Sequence, residues 1–120
     1  MSYKFDNSKF TKEIYNKERI YGGYIGTIHV GMISIDVTNC SEIEKLSCDF
    51  YVLGEDNGYG YTKTGEPYDE AGGFVIDFDD KIPYDEVLKE IQSKAIEYIK
   101  GYKGEYSLKR KAETECAIDW

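Results

Sequence analysis

Apolar and polar positions alternate with a period of two in three stretches of the chain. Ile33, Ile35 and Val37 alternate with Ser34 and Asp36. Leu46, Cys48, Phe50 and Val52 alternate with Ser47, Asp49 and Tyr51, and Phe74, Ile76 and Phe78 alternate with Asp77 and Asp79. Successive side chains of a strand point to opposite faces, so each stretch predicts a strand with one face for a core and one for water. The β-branched run from Tyr24 to Val37 is too long for most single strands. Gly31 inside it marks either a bulge or a tight hairpin joining two strands. Thr38 to Ser41 has turn chemistry.

Two stretches follow the helical period instead. Ser8 is a capping residue type and Phe10 and Ile14 stand one turn apart, which predicts a short helix within residues 8 to 19. Over residues 84 to 100, Val87, Leu88, Ile91, Ala95, Tyr98 and Ile99 share one stripe, with Pro83 and Asp85 at the start and Gly101 at the stop. Residues 102 to 120 fit a short helix, a late strand or a tail, and a short helix is the reading adopted. No repeat or linker divides the chain, which predicts one domain over residues 1 to 120. The expected fold class is α+β: a small, mostly antiparallel sheet of three to four strands packed against a C-terminal helix, with a short N-terminal helix.

Residues 54 to 73 break the pattern, because they hold almost nothing that could form a core. Tyrosine, glycine and small polar residues dominate there, a composition typical of protein-binding loops, where a ring supplies a large contact at small entropic cost. A solvated acidic loop is the plainer account of the same residues. The expected contacts are Glu55, Asp56, Tyr59, Tyr61, Tyr68, Asp69 and Glu70.

Charge strengthens that expectation. The chain carries a formal net charge of -8, and residues 21 to 99 hold all of the excess, with sixteen acids against five lysines. Such a region repels phosphates, which argues against direct nucleic-acid binding, and draws in proteins with a basic surface. Acidity also simply keeps small proteins in solution. The three cysteines, Cys40, Cys48 and Cys116, form no Cys-x-x-Cys pair, and the N-terminus Met1 to Asp6 is polar, so a reducing cytoplasm is expected. No stretch approaches the length of a membrane span.

Catalytic chemistry has few candidates. His29 is the one histidine and stands between Ile28 and Val30, where a sheet histidine is the default reading. Cys48 alternates inward as an inert thiol, and Cys40 has no neighbouring base. Asp77, Asp79 and Asp80 form the densest carboxylate cluster, but their spacing is not that of a calcium loop, and no metal or cofactor is expected. Residues 58 to 65 match neither phosphate-binding glycine motif. Lys109, Arg110 and Lys111 read as a solvated basic face.

In its size, acidity, twelve tyrosines and absence of a catalytic motif, the chain resembles small phage-encoded anti-defence proteins of bacterial host cells, a group that includes anti-CRISPRs and inhibitors of NAD-consuming defence sirtuins. The resemblance is one of composition and carries over no individual residue. It implies a non-enzymatic inhibitor that blocks a larger bacterial defence protein by stoichiometric binding. Two alternatives stand beside it: an immunity protein neutralising a nuclease toxin, and a small metal-dependent enzyme using the Asp77 to Asp80 cluster with His29. A free sheet edge also leaves homodimerisation open.

Overall fold

The computed structural model describes residues 3–55, 60–62, 65 and 67–115. Five strands, β1 (Phe5–Lys9), β2 (Gly23–Val30), β3 (Ile33–Cys40), β4 (Lys45–Leu53) and β5 (Tyr68–Asp77), form one antiparallel sheet. Their spatial order is their sequence order, so each strand pairs with its neighbours along the chain. The helices are α1 (Lys12–Glu18), α2 (Tyr84–Gly101) and α3 (Leu108–Glu113).

The alternation read from the sequence sets the two faces. Ile28, Val30, Ile33, Ile35, Val37, Leu46, Cys48, Phe50, Val52 and Ile76 are buried in one cluster with Val87, Ile91, Ala95 and Ile99 of α2, Tyr15 of α1, and Leu108 and Ala112 of α3. A fully buried side chain of this size contributes roughly 1.5–3 kcal/mol, so this layer carries the stability of the fold. The described helices therefore cover one face of the sheet, and none of them lies over the other.

Several expectations need correction. The sheet has five strands rather than three to four, because Phe5–Lys9, short and polar in composition, pairs with β2. The first helix starts later than Ser8: Thr11 caps it, its hydroxyl accepting from Ile14 N at 3.2 Å. Thr38 to Cys40 belong to β3, and the turn falls at Ser41–Ile43, closed by Glu44 at φ 54°. Strand β5 begins at Tyr68, six residues before the expected Phe74, so the presumed loop supplies half of an edge strand. The α+β class, the long α2 helix and a short helix after residue 102 all agree with the reading.

Gly31 resolves as a hairpin. Val30 pairs with Ile33, leaving Gly31 and Met32 as a two-residue turn, with Gly31 at φ 56°. A side chain there would also lie 2.4 Å from the carbonyl oxygens of Lys111 and Ala112. Met32 N donates to Lys111 O at 2.8 Å, so α3 is seated on this turn.

Candidate functional site

Strand register builds the face that the helices leave open. One rung runs across all five strands through Asp6, His29, Ser34, Tyr51 and Glu70. The next runs through Lys9, Thr27, Asp36, Asp49 and Gly73. Directly opposed residues stand only about 4.5–5.5 Å apart at Cβ, so these two rungs form a dense polar patch of four carboxylates and one ammonium group.

Over the rungs lies a pocket of about 270 Å³, lined by Lys9, Tyr24, Thr27, His29, Ser34, Asp36, Tyr51, Thr62 and Tyr68. Its floor is the outer face of β2, β3 and β4. Part of its wall comes from the chain between β4 and β5, which is pinned at both ends: Gly54 N donates to Pro67 O at 2.9 Å, and Tyr68 N donates to Gly60 O at 3.2 Å. Gly60 sits so close to the Tyr68 ring that a side chain there would lie 2.6 Å from it. Tyr68 in turn meets Tyr51 edge-on, with ring centroids 5.5 Å apart.

Inside the pocket a directed chain of hydroxyls ends on a carboxylate. Thr27 Oγ1 donates to Asp36 Oδ1 at 2.9 Å. A hydroxyl has one proton to give, so the contact between Tyr24 Oη and Thr27 Oγ1 must have tyrosine as donor. Burial raises the Asp36 carboxyl above its usual range, Thr27 opposes that shift, and the facing Asp49 adds to it. Tyr51 is pushed up to about 12, by burial first and then by Glu70, Asp36 and Asp49, so it remains a neutral phenol able to donate. Burial takes His29 down from 6.5 to about 4, helped by Lys9 and opposed by Asp6, which leaves a neutral imidazole at pH 7.

Asp6, His29 and Ser34 are adjacent on one rung and are the residue types of a nucleophile–base–carboxylate set. Their contacts differ from such a set. Asp6 Oδ1 accepts from Ser8 N at 2.9 Å, and Ser34 Oγ has no hydrogen-bond partner among the described residues. A general base works best with a pKa near the working pH, and this imidazole is held well below it.

The expected contact residues meet different fates. Tyr61 is exposed, and Tyr68 and Glu70 border the outer face, Tyr68 half-buried and Glu70 exposed. Glu55 is half-buried and lies 3.6 Å from Lys111 Nζ, which also donates to Leu53 O at 3.2 Å. Lys111 is thus a structural tie between α3 and β4 rather than part of a solvated basic face. Asp69 is buried and points to the helix side, where it accepts from the Tyr106 hydroxyl. Asp56 and Tyr59 lie outside the described residues, as does Cys116.

The position of Asp69 has a definite cause. Asp49 pairs with Gly73 but Tyr51 pairs with Glu70, so β5 carries one extra residue at a bulge where Gly72 adopts φ 85°. The bulge inverts the alternation. Val75 and Asp77 face outward on one side of it, and Tyr68 and Glu70 do so on the other.

The carboxylates of the Asp77 to Asp80 stretch are elsewhere. Asp77 pairs with Lys45, six residues along β4 from the Tyr51 rung, which places it about 20 Å from the His29 rung at roughly 3.3 Å per residue. The Lys45 ammonium bonds it and holds its carboxyl below the usual range. Among the described residues no group of three or more His, Cys, Asp or Glu side chains is placed to hold a metal ion. Cys48 is buried and pushed up to about 12 by that burial, so its thiol stays protonated. No described helix is long and apolar enough to cross a membrane.

Tyr24, Thr27, Ser34, Asp36 and Tyr51 were absent from the sequence-based contact list. The outward direction of Ser34, Asp36 and Tyr51 was readable from the alternation; that of Tyr24 and Thr27 was not, because the two share a face only through the register shift between Tyr24 and Gly26. The assembly of all five was not readable either, because it depends on register between strands. No protein-family model, curated protein or solved structure matches the chain.

Proposed function

We propose that the protein is a non-enzymatic binder whose open sheet face, rather than an extended loop, covers a basic surface on a larger protein. One observation carries this reading: Asp6, Asp36, Asp49 and Glu70 are collected on the sheet face that no described helix covers, around a tyrosine-rimmed concavity. Aromatic rings among carboxylates suit arginine and lysine on a partner, through charge-assisted hydrogen bonds and cation–π contact. The chain's net charge of -8 favours encounter with such a partner. Occupying a host defence protein in this way, with an NAD-consuming sirtuin or a CRISPR nuclease as candidate targets, accounts for the compositional resemblance. An immunity role toward a nuclease toxin uses the same chemistry.

The test is co-expression. Wild-type protein is expected to restore phage plaquing in a host carrying one of these defence systems, or growth in a host carrying a nuclease toxin. Asp49→Lys with Glu70→Lys is expected to abolish the effect while leaving the far-ultraviolet dichroism unchanged. A charge-reversed protein that works as well as wild type overturns the proposal, and so does a wild type without effect in every host.

A further inference from the structure

Resting on that reading, we infer that the pocket over β2, β3 and β4 seats one arginine side chain of the partner, with Asp36 as its carboxylate and Tyr51 and Tyr68 as its walls. The pocket's size is the first argument. At about 270 Å³ it falls below the roughly 300–1,000 Å³ of sites that enclose a whole small-molecule ligand, and it suits a single side chain inserted from a protein surface.

Its polar groups are the second. Thr27 occupies Asp36 Oδ1, and among the described residues no hydrogen bond reaches Asp36 Oδ2. No cation lies within ion-pair distance of Asp36 or the facing Asp49 among those residues, although like charges directly opposed across strands are unfavourable. Ser34 is 6 % exposed, lines the same pocket and has no hydrogen-bond partner among the described residues. Its Oγ is open to the pocket, and a donor entering there can bond it together with the carboxylate.

The third argument selects arginine over lysine. A guanidinium is planar, stacks on aromatic faces and gives five donors in a fixed fork, whereas an ammonium is a compact, strongly hydrated point charge. Tyr51 and Tyr68 stand nearly perpendicular, at 79°, so either ring can offer its face to the plane, and Asp36 and Ser34, two residues apart on β3, offer two acceptors to the fork. Lys9 is the one cation on the two rungs, and Asp6, Asp36, Asp49 and Glu70 outnumber it, so an anionic ligand meets net repulsion.

Titration of isotope-labelled protein followed by nuclear magnetic resonance tests this directly. The probes are N-acetyl-arginine-methylamide, its lysine and citrulline counterparts, and magnesium or calcium chloride. The arginine probe is expected to shift the amides of Thr27, Ser34, Asp36 and Tyr51, with a dissociation constant on the order of millimolar, as suits one side chain. Citrulline is expected to leave them unmoved, lysine to bind several-fold more weakly, and Asp36→Asn or Ser34→Ala to weaken arginine binding about tenfold or more. Equal shifts from citrulline, unchanged binding by Asp36→Asn, or a response to the divalent ions without one to arginine overturns the inference. Failure here separates cleanly from failure of the broader reading. If Asp36→Asn keeps full effect in the co-expression hosts while Asp49→Lys with Glu70→Lys loses it, the open face is the contact and the arginine seat is wrong. If wild type has no effect in any host, the binder reading falls whatever the titration shows.

Discussion

His29 shows how one side chain records its surroundings. It lies 6 % exposed on the outer face, and burial takes its imidazole down to about 4, with Lys9 adding to the shift and Asp6 opposing it. Asp36, Tyr51 and Glu70 also face this region from the neighbouring strands. In the unfolded chain the imidazole titrates at its ordinary value near 6.5, so below that pH the unfolded state binds the proton that the folded state refuses. Stability therefore falls as pH drops from about 6.5 toward 4. The expected loss between pH 7 and about pH 5 is roughly 2 kcal/mol from this group, by the linkage of 1.36 kcal/mol per pH unit. Urea denaturation of wild type and His29→Gln at both pH values checks it: the variant should lose the smaller amount, and equal losses refute the assignment. Asp36 works in the opposite sense. Its raised carboxyl makes the ionised form unfavourable at neutral pH, a cost to the free fold that a bound cation relieves.

Among the elements, β5 departs furthest from what its residues suggested. Phe74 to Asp79 alternate plainly, yet from Tyr68 to Gly73 the alternation is hidden by the one-residue bulge at Gly72, and glycine and acidic residues read as loop. The helix-side placement of Asp69 is stabilised from a distant segment, by the Tyr106 hydroxyl. Tyr106 is held well up as a phenol, chiefly by the Asp69 carboxylate it bonds. Asp69 Oδ1 also accepts from Glu70 N at 2.9 Å, so Tyr106→Phe removes one of its donors and should lower the unfolding midpoint by roughly a few degrees. Thermal unfolding measures this, and an unchanged midpoint shows that the Tyr106 hydroxyl does not hold Asp69 in place. The same contrast explains what was legible beforehand. Strands β3 and β4 and helix α2 announce themselves because each has a regular apolar face meeting the core. Strand β1, with only Phe5 to mark it, is a strand because β2 offers it an edge, which local pattern does not encode. The site was half legible for the same reason. Ser34 and Asp36 face outward by alternation, while the pairing that brings them beside Thr27, His29 and Tyr51 is a property of the assembled sheet.

At the scale of the molecule, helices on one side and carboxylates on the other make a two-sided body. On the proposed binder reading, its net charge of -8 and its acidic open face would drive association partly by long-range attraction. The rate of association with the partner should fall about tenfold or more as salt rises from 0.05 to 0.5 M, because screening shortens the reach of these charges. Dissociation should change less, since it reports the desolvated contacts. Stopped-flow measurement at several ionic strengths separates the two, and a salt-independent association rate contradicts electrostatic capture.

The order of strands carries one more consequence, for synthesis. Because β1 to β5 pair in the order in which they are made, the emerging chain can zip its sheet progressively by short-range closure. The cover for that sheet, α2 and α3, is made last. A chain that ends at Asp77 therefore has all five strands but most of its oily side bare, and until α2 and α3 are added this chain is most prone to clump or to need a chaperone.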